Sequence, residues 1–495
     1  MQTTSGVPGP RIVSSTLSLG AFSVFSMVLG LAGTVIITRH FSADDFGAYI
    51  LVNLIASFLG QISTFGFEMA VTKFIAGTDD NSIQEHFFST AVIVRLGAIL
   101  LTGLLAWYGS PVFKILFGQS LLPGFFFYVP LLFAFDSFKS ILKATLQGRL
   151  LFRKIGILNA IESVTFLVLL VIVYRINGNI TLLFLARITS SCVTSIIAFV
   201  FIPIKKRIFF QRSAFMELMK FGFPLQINDI MGFIYSQIDK VAVAVFLGPA
   251  DIAAYEVARK IPEYLRNFYE PFRSVYYPFI SKRYALDGKQ QASEFVNDAV
   301  RFVAFVTLLG AVIATLFGRE ILQFIFTDKY SASAPVFVIL MINLSIGLIS
   351  NVMGTTLVAV GDTQKPALIN FFNAITSWLG SVLLIPLFAL VGASVANTTG
   401  TAIAMPLNRY FLQKRIELKD STYLKPLILF GVWALVVFLI KPELILIKIV
   451  FLLAFLVACV FLSIITKKDL ALLVDGLRLN SWPPFQKLTL WISRL

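Results

Sequence analysis

The sequence predicts an all-α polytopic membrane protein. It comprises fourteen transmembrane helices in two six-helix lobes related by a parallel repeat, two further C-terminal helices, and both termini in the cytoplasm. Three observations predict this. Of 495 residues, 57% are hydrophobic and 14% charged, with 50 phenylalanines and a mean hydropathy of +0.85, beyond what a soluble core needs. Apolar runs of about 20 residues, enough to cross about 30 Å of hydrocarbon, follow one another from Ser14 to Thr466 with short polar breaks. The third observation is the uneven placement of basic residues between those runs.

In order, the spans fall near 14–38, 47–72, 87–108, 122–146, 155–175, 180–204, 221–247, 250–281, 299–326, 333–360, 366–389, 391–412, 424–440 and 444–466. With the N-terminus inside, the inner breaks hold 23 Lys and Arg and the outer breaks 7. The positive-inside rule then places both ends in the cytoplasm. Most of the net charge of +15 is thereby a topology signal, and nucleic acid is not expected as a partner. The opening "MQTTSGVPGPR" lacks a basic region followed by a short apolar core and a small-residue cleavage site, so the first span is expected to remain.

The repeat is read from two pairs of motifs. "HFSADDFGAY" (His40–Tyr49) and "FLGPADIAAY" (Phe246–Tyr255) align at an offset of 206, matching Asp45 with Asp251, Ala48 with Ala254 and Tyr49 with Tyr255. "LNAIES" (Leu158–Ser163) and "FNAITS" (Phe372–Ser377) align at 214, opening the fifth and eleventh spans. Six spans per copy is an even number, so both copies enter from the same side, and the axis relating them runs along the membrane normal. The expected parts are an N-lobe at 1–204, a basic cytoplasmic linker at 205–220, a C-lobe at 221–413, two added spans within 414–466 and a cytoplasmic tail at 467–495. In that tail Phe485, Leu488, Ile492 and Leu495 are spaced as an amphipathic surface helix.

The eighth span carries an unusual ladder. In "YEVARKIPEYLRNFYEPFRSVYY", Glu256, Glu263 and Glu270 recur every seven residues, each followed three positions later by Arg259, Arg266 or Arg273. On a helix these six fall within an arc of about 100°, beside Lys260, over a rise of about 25 Å. The opposite stripe is apolar: Val257, Ala258, Ile261, Leu265, Phe268, Phe272, Val275 and Phe279. Charges at that depth cannot face lipid and belong to a water-filled cavity, where arginines offer bidentate sites to phosphate or carboxylate. Two other arrangements stay open: a helix lying at the interface, or glutamates and arginines that neutralise one another as i,i+3 pairs. Pro262 and Pro271 are expected to bend the helix.

Further ionisable residues lie in the spans. Arg95 and Lys139 join the candidate cavity set, and Asp136 and Lys143 share a face with Lys139. Asp239, Asp229 and Glu68 are candidates for coupling to a proton or sodium ion, with local pairing, for example to Lys240, as the alternative for the aspartates. Glu162, Arg187 and Arg301 complete the set. The two cysteines, Cys192 and Cys459, lie in apolar runs and only two histidines, His40 and His86, exist. No metal centre, disulfide or cofactor is therefore expected. The breaks hold no cluster of carboxylates or histidines, which argues against an enzyme.

"SQIDKVAVAVFLGPADIAAYEVARKIPEYL" (Ser236–Leu265) resembles the seventh-to-eighth helix signature of polysaccharide-biosynthesis flippases of the Wzx type. "RHFSADDFGAYILV" (Arg39–Val52) resembles their first-to-second helix junction. These flippases belong to the superfamily that includes MATE multidrug exporters and lipid II flippases. The resemblance implies twelve core helices in two lobes, two optional helices, and translocation of a polyprenyl-diphosphate-linked oligosaccharide from the inner to the outer leaflet of the plasma membrane. The cargo, the bilayer and a polysaccharide polymerase are the implied partners, and a monomer is expected. The first span, "SSTLSLGAFSVFSMVLGLAGTVIITR", has no acidic residue, unlike the first helix common in MATE exporters; a MATE-like cation-coupled drug exporter, disfavoured on that ground, and a lipid II flippase remain the alternatives.

Overall fold

The computed structural model describes residues 9–464 apart from 110, 113, 114, 116–123, 208 and 363. The tail helix expected around Phe485 to Leu495 lies outside the described residues. Those described form helices and connecting turns without a strand: α1 (Gly9–His40), α2 (Ala43–Ile62), α3 (Phe67–Ala76), α4 (Asn81–Tyr108), α5 (Phe125–Gly148), α6 (Phe152–Arg175) and α7 (Ile180–Phe201). There follow α8 (Arg212–Phe246), α9 (Pro249–Leu286), α10 (Gly288–Ile325), α11 (Ala334–Ala359), α12 (Gln364–Gln413), α13 (Ser421–Ile440) and α14 (Ile445–Phe461). Nine helices among the described residues are long and apolar enough to cross a bilayer. The protein is thus an all-helical multi-pass membrane protein. α5, α8 and α9 have the length but carry charged and amide side chains inside their apolar runs.

Two consecutive helices, α9 and α10, run well beyond the thickness of a membrane. α9 and α10 each run 38 residues, about 57 Å at 1.5 Å per residue, and only Asp287 separates them. The polar stretch at 282–298 is therefore helical almost throughout, and the basic stretch at 205–220 becomes helix from Arg212 onward. Polar composition ended the expected spans there because it marks the edge of hydrocarbon, which a helix can overrun.

The chain divides into two compact units, Met1–Glu256 and Val257–Leu495, with the boundary inside α9. In the first unit α5 packs against α2, α3, α4 and α7, while α1 lies along α6. Phe67 and Val71 of α3, Ala91 of α4, Leu142 and Leu146 of α5 and Leu218 of α8 meet in its core. In the second unit α10 packs on α11 and α13, and α11 on α12.

The second expected span is interrupted. α2 ends at Ile62, and the chain turns through Ser63–Gly66 with Phe65 at φ 48° and Gly66 at φ 68° before α3 begins. Gly66 is required twice: its left-handed conformation is strained for any side chain, and a Cβ there would overlap the Gly222 carbonyl of α8. α12 is kinked at Ala389 (φ 49°, ψ −132°), where the sequence places the break between the spans 366–389 and 391–412. Gly392 permits this fold-back, since a Cβ on it would overlap the Leu384 carbonyl.

Candidate functional site

The ladder helix presents three faces. Tyr255, Pro262, Tyr269 and Tyr276, spaced by seven, are buried, and Tyr276 shares a 2.7 Å hydrogen bond with Thr356 of α11. Half of the expected apolar stripe points outward: Leu265, Phe268, Val275 and Phe279 are exposed, Ile261 and Phe272 are half-buried, and Val257 and Ala258 are buried. That is the arrangement lipid favours, because a leucine or phenylalanine loses nothing by facing acyl chains. The helix therefore seats itself largely through tyrosines, which bring apolar area and, at Tyr255 and Tyr276, a hydroxyl that finds a partner.

Its polar face is not uniform. In the first unit, Glu256 is buried and accepts an ion pair from Lys240 of α8 at 2.7 Å. Beside it, Asp239 is buried and accepts from the Tyr255 hydroxyl at 2.9 Å and from the Lys240 backbone N–H at 2.9 Å. Lys240 is thus paired with Glu256 and not with Asp239 through its side chain. In the second unit, Arg259, Lys260 and Glu263 are half-buried, with the Lys260 ammonium 5.7 Å from the Tyr264 ring centre. Arg266, Glu270 and Arg273 are exposed. Arg273 pairs with Glu270, three positions before it, at 3.5 Å. These two residues edge a cavity of about 500 Å³ whose remaining lining comes from α9, α11 and α12 and includes Asn351, Asn370 and Asn408.

A second charged centre lies within the first unit. Lys139 of α5 is buried and donates to Asp136 at 2.7 Å, to Glu162 of α6 at 2.6 Å and to Ser191 of α7 at 3.1 Å. Arg187 of α7 donates to the same two carboxylates, at 2.8 Å to Glu162 and 3.4 Å to Asp136. Lys143 lies 3.6 Å from Glu162 and donates to Asn159 at 2.8 Å. Three cations thus share two carboxylates, leaving one formal positive charge where three helices meet. Of these residues, spacing alone places Asp136, Lys139 and Lys143 on one face of a single helix. Asp136, Glu162 and Arg187 lie on three separate spans, so nothing in their spacing announced that they converge.

The broken helix forms a third centre. The interruption leaves backbone groups that a continuous helix would have paired, and such groups are tolerated at membrane depth only where protein or water satisfies them. Gln226 of α8 does so: its Oε1 accepts from Gly66 N–H at 2.7 Å and from the Thr64 hydroxyl, and its Nε2 donates to the Gln61 carbonyl at 2.6 Å. Beside this plug lies a cavity of about 300 Å³ lined by Gln61, Thr64, Glu68, Asp229 and Ser236 among others. Two of the three coupling candidates, Glu68 and Asp229, therefore share a cavity, while Asp239 lies with Tyr255. Arg95, buried in α4, donates to Ser137 at 3.1 Å and to Glu68 at 3.4 Å. Gln226 went unnoticed in the sequence; a glutamine inside an apolar run was its one signal.

Among the described residues no group of three or more His, Cys, Asp and Glu is placed to hold a metal ion. The arrangement offers fixed positive charge, ionisable carboxylates beside a cavity and an interrupted helix, the equipment of a translocation pathway.

Known proteins share this architecture. The probable low-salt glycan biosynthesis flippase Agl15 of Haloferax volcanii is 21% identical over 420 residues, 82% of this chain and 85% of that protein. The lipid II flippase MurJ in its inward closed conformation superposes with a TM-score of 0.71 at 17% identity, over 90% of this chain and 98% of that one. A multidrug resistance MATE family transporter of the MOP superfamily, inward-facing, gives 0.63 at 14% identity, over 79% and 95%. At such identities the two solved structures speak for the fold alone. The family described as polysaccharide biosynthesis protein matches residues 36–335, more than half of the chain, and the chain belongs to that family.

Proposed function

We propose that this protein is a flippase that carries a polyprenyl-diphosphate-linked oligosaccharide from the cytoplasmic to the outer leaflet of the plasma membrane. The feature that carries the reading is the ladder of α9, which spaces Arg259, Arg266 and Arg273 by seven along one helical face, read as lying within the membrane. A diphosphate needs cationic donors in a place lipid would otherwise forbid, and a prenyl chain needs none and stays in the acyl layer. Membership of the polysaccharide biosynthesis family supports a glycan cargo, and the similarity to Agl15 supports flipping as the activity.

Fourteen spans with both termini in the cytoplasm, grouped as two six-helix lobes and two added helices, suit alternating access. Each lobe would turn as a body while the glutamates hold the arginines extended. Glu68 and Asp229, with their shared cavity, are the groups suited to proton or sodium coupling. Asp239, held by Tyr255, is the alternative. The protein would work as a monomer beside a polysaccharide polymerase and would catalyse no covalent step. A lipid II flippase is the second reading, one that the shared fold accommodates.

Proteoliposomes carrying labelled lipid-linked sugar provide the test. Arg266→Ala and Arg273→Ala are expected to insert normally and to lose translocation; normal transport by both would remove the ladder from the mechanism. Asp229→Asn is expected to change the dependence on an imposed proton or sodium gradient, and an unchanged response would exclude that carboxylate.

A further inference from the structure

We infer that the cavity of the second unit is a subsite for the hydroxyl groups of a neutral sugar ring; the inference rests on the flippase reading and names what part of the cargo this cavity holds. The lining is chemically distinct from the ladder at its edge. Asn351 of α11 and Asn370 and Asn408 of α12 bring three carboxamides, and Ser350, Thr355 and Tyr277 bring hydroxyls. A carboxamide offers two donor hydrogens and an acceptor oxygen side by side, the complement of neighbouring sugar hydroxyls that each donate and accept. Phosphate would accept from such a lining but leave its acceptor oxygens without partners. A neutral polyol uses both kinds.

Asn408 points to a ligand independently. It is 94% buried, being 6% exposed. Its Nδ2 donates to Ser350 Oγ at 2.9 Å, while its Oδ1 is buried with no hydrogen-bond partner. Whichever way the carboxamide is turned, the single serine contact leaves one of its two polar atoms for something else. A buried polar group left so is costly, and a ligand hydroxyl in the cavity satisfies it.

Space and shape agree. The volume of about 500 Å³ lies within the range of about 300–1,000 Å³ usual for small-molecule sites. Gly354 lines the cavity one helical turn after Ser350, and a Cβ there would come within 3.4 Å of Asn408 Oδ1, so a larger side chain would fill the space beside the unpartnered atom. The Tyr277 ring, 43% exposed, supplies an apolar platform for the C–H face of a sugar. Arg273 stands at the edge, where the anionic end of the cargo would lie. In the proposed orientation these parts of α9, α11 and α12 are the cytoplasmic ends of their spans, the side from which cargo is taken.

The test uses the full chain in nanodiscs and two kinds of probe: a short prenyl diphosphate, and the same diphosphate carrying glucose, galactose or N-acetylglucosamine. At least one sugar-bearing probe is expected to bind the wild type about tenfold more tightly than the bare diphosphate. Asn408→Leu and Gly354→Leu are expected to abolish that gain while leaving the bare probe unaffected, whereas Arg273→Ala weakens both probes. Asn370→Ala, at an exposed position, is expected to reduce the gain and serves if Asn408→Leu does not fold. Equal binding of bare and sugar-bearing probes to the wild type, or a gain that survives the variants, overturns the subsite and leaves the flippase reading standing. Failure of every prenyl diphosphate to bind the wild type overturns both.

Discussion

Lys240 and Glu256 face each other at 2.7 Å across α8 and α9, with side chains only 11% and 9% exposed. The first rung of the ladder thereby has a buried counter-ion on a neighbouring helix. Glu256 serves the packing of α8 against α9. Further down the ladder Arg266 is exposed.

Replacing Glu256 by alanine leaves the Lys240 ammonium buried without its carboxylate. Loss of one partner of a buried pair costs about 3–5 kcal/mol, so Glu256→Ala is expected to lower the melting temperature in detergent clearly. The double variant Lys240→Met/Glu256→Leu, which removes both charges and keeps volume, should recover most of that loss. A thermal-shift series on the four proteins of this cycle checks it; a single variant as stable as wild type would contradict the pairing.

The two carboxylates of the first unit's network are not equivalent. Glu162 meets Lys139 at 2.6 Å, Arg187 at 2.8 Å and Lys143 at 3.6 Å, with its side chain 16% exposed, whereas Asp136 meets two cations and is 36% exposed. Glu162→Gln and Asp136→Asn leave the same formal charge, so any difference reflects geometry and burial. Glu162→Gln is expected to destabilise more, by about 1–2 kcal/mol relative to Asp136→Asn, in the same range as a charged hydrogen bond. Melting temperatures of the two variants measure the order, and the reverse order would refute it.

In the second unit, Asn297 of α10 acts as a substitute peptide for the loop before α13: its Nδ2 donates to the Glu417 carbonyl at 2.8 Å and its Oδ1 accepts from Lys419 N–H at 2.8 Å. Ser293 accepts from Glu417 N–H at 3.0 Å. Asn297→Leu removes two of these three bonds and is expected to expose the loop at 414–420. Limited proteolysis should then cut there at least several times faster than in wild type, while a cut rate equal to wild type would show that Ser293 holds the loop alone.

How much of this was legible follows from what sequence patterns encode. The ladder was legible because seven-residue spacing fixes a helical face regardless of context, and the kink at Ala389 fell where a gap between apolar runs had been expected. The break at Ser63–Gly66 was not, because Ser-Thr-Phe-Gly inside an apolar run is hydrophobic enough to pass for a continuous span. Convergence was the least readable property. Glu162 and Arg187 lie 25 residues apart and Thr64 and Gln226 162 apart, and hydropathy carries no information on which faces of separate helices meet. The apolar stripe of α9 was recognised as a stripe, but its direction was not: in a membrane an apolar face is as well placed against lipid as against protein.

The broken helix gives the last prediction. Gln226 works at both ends of its carboxamide, accepting from Gly66 N–H and the Thr64 hydroxyl and donating to the Gln61 carbonyl. Gln226→Leu takes the acceptor from the Gly66 N–H and one partner each from the Thr64 hydroxyl and the Gln61 carbonyl, which keep their mutual 2.9 Å hydrogen bond, at about 1–3 kcal/mol for a group left buried and unpaired. Gln226→Glu keeps the acceptor and loses only the donation to Gln61. The leucine variant is therefore expected to melt lower than the glutamate variant, despite leucine being the more apolar residue in a membrane protein. Gly66→Ala tests the backbone of the same turn, since alanine meets both a strained φ of 68° and the Gly222 carbonyl; it is expected to reduce the yield of folded protein on size-exclusion chromatography. If Gln226→Leu were at least as stable as Gln226→Glu, the interrupted backbone would have to be satisfied by something other than this side chain, because hydrophobicity alone favours leucine there and only the lost hydrogen bonds oppose it.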